Sequence, residues 1–167
     1  MKHRSFTHFS KKANYQQGAA IVEFALVMTL LITLMAGIFE IGRAFWYYDA
    51  LVKATRDGAR FMSVTDKATL TTLVTGGIAL TKKQVADAAT KAGVPNFAEG
   101  NVDVQCLDAT FANTGCVNGA APVAVRVQIT GYTRTIGQLI PFLIGGSRNY
   151  SATFAPHTTM RYMPEVV

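Results

Sequence analysis

The chain has 167 residues, enough for one modest domain plus an anchor. Half of them are hydrophobic and only 16% are charged, against roughly a quarter in ordinary soluble domains, so a uniformly soluble globule is a poor description. Lys2, Arg4, Lys11 and Lys12 carry most of the +6 net charge, while the other 12 basic residues nearly balance the 10 acidic ones; without a Lys/Arg cluster interleaved with aromatics, the body is not a nucleic-acid binder.

Residues 1–17 are polar and basic and have no apolar face, which keeps such a segment in the cytoplasm. Gly18 follows, and an apolar run begins at Ala19. Its uncharged core from Phe24 to Phe39 includes Leu26, Leu30, Leu31 and Leu34. Residues 19–39 would make a helix about 31 Å long, which matches a hydrocarbon core of about 30 Å. Residues 19–42 are therefore expected to form a transmembrane helix, with the N-terminus inside and the body outside. Glu23 is the odd residue, because an unpartnered carboxylate in a membrane helix is costly. It either lies at the headgroups, stabilised by the helix N-terminus, or it pairs with a cation. Cutting after Gly18 would supply that cation as the new α-amino group of Ala19, one helical turn away.

Gly18-Ala19-Ala20-Ile21-Val22-Glu23, behind a basic leader and ahead of a long apolar helix, resembles the class III signal of type IV pilin-like proteins, Gly-x-x-x-x-Glu. Within that superfamily, residues 16–62 resemble the TadE-like minor pilins and pseudopilins of tight-adherence (Flp/Tad) pilus systems, down to Arg56-Asp57-Gly58-Ala59-Arg60. The resemblance implies cleavage between Gly18 and Ala19 by a membrane prepilin peptidase, and a role for Glu23 in processing or assembly. It implies as partners other pilins or minor pilins, the pilus assembly machinery and membrane lipids. The place implied is the bacterial inner membrane, with the C-terminal domain periplasmic, or a surface pilus. Phe24 stands where the short major Flp pilins have Tyr, and a large C-terminal region is attached, which favours a minor pilin over the main filament subunit.

Ile41, Phe45, Tyr48, Val52, Thr55, Ala59 and Met62 recur every three or four residues, opposite Arg43, Lys53, Arg56 and Arg60. One helix is thus expected over residues 19–63, its outer part (residues 43–63) packing on a domain formed by residues 64–167. Phe45, Trp46, Tyr47 and Tyr48 fall either in an interfacial aromatic belt or in that core. Residues 64–77, rich in Thr and ending in Gly76-Gly77, read as a loop or a short, weak helix. Thr81 can cap a helix that stops near Gly93, before Pro95. The period then changes to two. Residues 101–106 alternate as a half-buried strand, and residues 122–130 place Val123, Val125, Val127 and Ile129 on one face. Residues 136–144 suggest a short helix or turn broken by Pro141, and residues 150–162 a last strand kinked at Pro156. The expected fold is α+β: a long N-terminal helix on a small antiparallel sheet of about three strands.

Cys106 and Cys116 in an exported protein read as a small disulfide loop, the alternative being two independent thiols. No catalytic, metal or cofactor site is legible. His3 and His8 lie in the leader, leaving His157 alone, and Gly145-Gly146-Ser147 has the wrong spacing for a nucleophile elbow. Asp103 and Asp108 do not form a calcium loop, and the cysteines are too far apart for Cys-x-x-Cys redox chemistry. The rival readings are an uncleaved single-pass membrane protein with a periplasmic interaction domain, and a secreted periplasmic binding protein. The first has no use for the placement of Gly18 and Glu23. The second would need a signal-peptidase site, and Gly42-Arg43-Ala44 is a poor one.

Overall fold

The N-terminal helix dominates the computed structural model, which describes residues 13–136 and 150–163, with side chains from Gly18 onward. Helix α1 (Ala13–Ser63) is 51 residues long and starts six residues before Ala19. Gly18 does not interrupt it, because a single interior glycine costs only about 1 kcal/mol relative to alanine. Helix α2 (Gly77–Lys91) packs beside the outer end of α1. The strands are β1 (Val102–Leu107), β2 (Ala124–Ile129), β3 (Tyr132–Ile136), β4 (Tyr150–Phe154) and β5 (His157–Arg161). Strands β1, β2 and β5 form an antiparallel sheet with β2 in the centre, and β3 and β4 form a separate antiparallel pair.

The period-two reading of the sheet agrees with the structure. Val102, Val104 and Cys106 of β1 and Val125, Val127 and Ile129 of β2 are buried against the helices. Val123, expected on that face, is 45% exposed because β2 begins only at Ala124. The C-terminal stretch differs more. The single strand expected over residues 150–162 is two strands in two sheets, divided at Ala155-Pro156, where proline has no N–H to continue a ladder. Its first half pairs with β3, an element the sequence reading did not anticipate. Ile136 is the last residue of β3, and the remainder of the helix or turn expected over residues 136–144 lies outside the described residues.

Helix α2 begins at Gly77, four residues before Thr81, so Thr81 is no cap. It is fully buried inside the helix, with its hydroxyl 3.8 Å from Met62 Sδ. The glycines explain the early start, because a Cβ on Gly77 would sit 2.7 Å from Thr65 Cγ2 and 3.1 Å from Met62 Sδ. Gly58 plays the same part on α1: a Cβ there would lie 2.6 Å from Val85 Cγ2 on α2. At both glycines a side chain of the facing element packs directly onto the helix backbone. Gly93, at a left-handed φ of 77°, ends α2 as expected. Residues 64–76 form a loop with one short 3-10 turn (Lys67–Thr69), capped by Asp66 and anchored by fully buried Leu70.

The packing face of α1 is rotated from the expected one. Thr55, Ala59 and Met62 are buried as expected, but their partners are Tyr47, Leu51 and Ala54. Ile41, Phe45 and Tyr48 are 53%, 68% and 44% exposed. Apolar residues occupy two faces of the helix at this level, so two series carry acceptable spacing, and the series through Leu51, Ala54 and Gly58 fits α2 and the sheet more closely. Arg43, Lys53, Arg56 and Arg60 face outward as expected. Polar groups tie α1 to the chain's far end. Thr55 and Thr158 hydroxyls lie 3.2 Å apart, Tyr162 donates to the Thr65 carbonyl at 2.6 Å, and the Met163 N–H donates to the Ser63 carbonyl at 2.9 Å.

Candidate processing and membrane-anchoring site

Gly18, Ala19 and Glu23 all lie in the first turns of the apolar part of α1, and all three are exposed. Residues 19 and 23, four apart, share one helix face. A Cβ on Gly18 would meet nothing within 4 Å, so no packing contact among the described residues requires glycine there. Gly18 is also a soft point, since glycine is the poorest ordinary helix former.

Beyond Glu23 the helix is bare. Phe24, Leu26, Leu30, Leu31, Leu34 and Phe39 are 48–68% exposed, and no side chain from Gly18 to Trp46 is buried. Among the described residues this is the one helix long and apolar enough to cross a membrane, and none of its most apolar 18-residue window is covered by the rest of the protein. A core helix of a soluble protein would bury such a window. The two threonine hydroxyls inside the stretch are satisfied locally. Thr29 donates its hydroxyl to the Ala25 carbonyl and Thr33 to the Thr29 carbonyl, each at 2.8 Å. That is how hydroxyls are accommodated where no water is available.

At the outer end of this stretch Trp46 donates from Nε1 to the Ala92 carbonyl, 3.3 Å away at the end of α2. Tyr47 turns inward, so the four aromatics at 45–48 divide between surface and core. Strand β3 brings Arg134 to the same place, with its guanidinium 5.8 Å from the centre of the Tyr47 ring. No local pattern pairs the two residues, which lie 87 positions apart, on α1 and on a strand that was not expected.

Cys106 and Cys116 are joined in a disulfide, with their Cα atoms 4.9 Å apart. The loop they close is built around Asp108. Its Oδ1 accepts from the Thr110 hydroxyl at 2.6 Å, the Thr110 N–H at 2.8 Å and the Ala112 N–H at 3.0 Å. These bonds, led by the Thr110 hydroxyl, hold the Asp108 carboxyl below the ordinary aspartate range. His157 is exposed at the start of β5. Among the described residues, no three His, Cys, Asp or Glu side chains converge as metal ligands.

Residues 18–60 match the family model described as "TadE-like protein". The match starts at Gly18 and ends at Arg60, and so covers the bare half of α1 and most of the half that packs on the domain. No curated protein and no solved structure shows a significant match to the chain. Over residues 18–60, then, the chain is similar to TadE-like proteins.

Proposed function

We propose that the protein is a minor pilin or pseudopilin for assembly of a Flp/Tad-type adhesive pilus, and that its work is structural and not enzymatic. Residues 1–18 are its cytoplasmic leader, which a prepilin peptidase removes at the Gly18–Ala19 bond. Residues 19–42 hold it in the inner membrane, residues 43–63 carry the helix out of the bilayer, and residues 64–167 form the periplasmic domain. Other pilins and the assembly machinery are its partners. The observation that carries this reading is a coincidence at one residue: the TadE-like match begins at Gly18, immediately ahead of the apolar run from Ala19, and no contact among the described residues asks for glycine there. A peptidase that needs a small residue on the leader side of the bond accounts for it. Glu23, four residues past Ala19, is placed to receive the new α-amino group, its own or that of a neighbouring subunit.

The test is the mature N-terminus in a host that carries a prepilin peptidase. Intact mass and N-terminal sequencing are expected to give Ala19, and Gly18→Val is expected to leave the leader attached. A chain that keeps Met1, or one cut beyond Ala44, would overturn the proposal. Glu23→Ala is expected to insert in the membrane but to lower piliation. Normal piliation of that variant would remove the pairing with the Ala19 amine.

A further inference from the structure

The β3–β4 pair stands apart from the main sheet and rests on α1 where the helix leaves its bare stretch. There Glu40, Arg43, Ala44 and Tyr47 of α1 face Arg134 and Ile136 of β3 across a cleft of about 160 Å³. Arg43 Nη2 donates to the Tyr47 hydroxyl at 3.0 Å, and its guanidinium lies 5.9 Å from the centre of the Tyr47 ring. Arg134 reaches the same ring at 5.8 Å from the other element. Two guanidiniums and one carboxylate therefore line a single small cleft. With Glu40 counted, the cleft lining carries one net positive charge, which favours an anion. The planar fork of arginine suits the oxygens of a phosphate, which it can take in pairs.

The level of the cleft says which phosphate. Arg43 is four residues past Phe39, the end of the uncharged run, and so about 6 Å further along the helix axis. The headgroup layer on each side of a bilayer is roughly 5–7 Å deep. On the far side of Ile136 lies a groove of about 400 Å³ lined by Ile41, Ala44, Phe45, Tyr48, Ile136 and Phe154, whose surface is almost wholly apolar. The two hollows share Ala44 and Ile136. Cationic and apolar surfaces side by side at headgroup depth are complementary to a phospholipid.

We propose that Arg43 and Arg134 hold the phosphodiester of an outer-leaflet phospholipid, with the neighbouring groove against its acyl chains, so that the β3–β4 pair fixes the domain on the membrane surface. The proposal rests on the membrane-anchored reading above. Its test uses the full chain in detergent, with lipid adducts measured by native mass spectrometry. Phosphatidylglycerol is compared with diacylglycerol of the same chains and with inorganic phosphate. Phosphatidylglycerol is expected to bind and diacylglycerol to be lost. Arg43→Gln and Arg134→Gln are each expected to weaken phosphatidylglycerol binding by about tenfold, the size of one lost charge-assisted contact. Arg56→Gln, further out on the same helix, should not change it. Unchanged binding by both cleft variants would overturn the proposal, as would equal retention of diacylglycerol. Displacement of the lipid by an equal concentration of inorganic phosphate would show a free-phosphate site instead. Carbonate extraction of membranes separates the two readings. A wild-type chain released by carbonate sinks the anchor itself, whereas an embedded chain with unaltered adducts sinks only the lipid seat.

Discussion

Residues 18–46 and residues 47–63 belong to one unbroken helix, and the two stretches solve opposite problems. In the first, large side chains such as Phe24, Leu26 and Leu30 point outward in every direction and none of the described residues buries them. In the second, Tyr47, Leu51, Ala54, Thr55, Ala59 and Met62 are buried on one side while Lys53, Arg56 and Arg60 face away. A helix apolar all round needs an apolar surrounding, and a one-sided helix needs a domain. The change of pattern at Tyr47 therefore marks where one surrounding gives way to the other. It also says where mutations act on the fold of the domain: at the buried positions of the outer half, and not at the uncovered positions of the inner half.

Leucine-to-alanine changes test that division most directly. Leu51 has no exposed surface, so Leu51→Ala should cost the domain about 2–5 kcal/mol in transfer and cavity terms. Leu30 is 61% exposed, and Leu30→Ala should alter domain stability by no more than about 0.5 kcal/mol. Thermal melts of the full chain in detergent, followed by near-ultraviolet circular dichroism, give both numbers. Similar losses for the two variants would mean that the halves are not energetically separate.

The disulfide ranks next. It ties the end of β1 to the loop that follows it, within the domain, so its removal should loosen the domain and leave the uncovered half of α1 untouched. Closing a loop of this length stabilises by about 2–3 kcal/mol in the chain-entropy model. The Cys106→Ala/Cys116→Ala double variant should therefore melt roughly 10 °C or more below the parent, while its retention in membranes is unchanged. A double variant that drops out of the membrane fraction would show that the two regions depend on each other.

A smaller effect is expected at Gly58, where α1 meets α2. Alanine there gains about 1 kcal/mol of helix propensity over glycine. Its methyl group would, however, sit 2.6 Å from Val85 Cγ2, and Val85 is itself fully buried. Overpacking of this kind costs about 1–3 kcal/mol. Gly58→Ala should accordingly be destabilising by about 0–2 kcal/mol, whereas Gly42→Ala, with nothing within 4 Å, should be neutral or slightly stabilising. A clear gain in melting temperature for Gly58→Ala would mean that the helices have room to separate.

The same contrast explains how much was legible in the sequence. The bare half of α1 announces itself, because an uncharged run of this length has few other uses, and Val125, Val127 and Ile129 alternate visibly enough to place β2. The outer half is harder. Ile41-Phe45-Tyr48 and Tyr47-Leu51-Ala54 both satisfy helical spacing, and only the partners on α2 and the sheet choose between them. The role of Gly58 depends on Val85, which is 27 positions away, and no local pattern carries it. Strand β3 did leave a signal, the β-branched and aromatic run Tyr132-Thr133-Arg134-Thr135-Ile136 after a Gly131 with left-handed φ, and reading it would have supplied Arg134. The split at Pro156 was half legible: proline foretold the interruption, but whether a strand bends or changes sheet depends on what it pairs with.

The smallest effect concerns Asp108, and it belongs to the domain alone. Its carboxylate accepts three hydrogen bonds from the loop between the cysteines, and its folded-state pKa is lowered, chiefly by the Thr110 hydroxyl and then by the backbone N–H groups of Ala112 and Thr110. A depressed pKa means that the ionised form is favoured by folding. Its contribution is fully present above the unfolded value of 3.8 and is lost as pH falls through the folded value. The loop should thus keep its hydrogen bonds at pH 5 and release them only in acid below the usual aspartate range. The amide resonances of Thr110 and Ala112 are the readout, titrated from pH 6 downward. They should move with a midpoint below 3.8, and in Asp108→Asn that movement should vanish, because the amide cannot ionise. A midpoint at or above the ordinary value would mean that the three bonds do not favour the charged form. The loop would then be held by the disulfide and by the bond from the Thr114 N–H to the Cys106 carbonyl, which does not titrate.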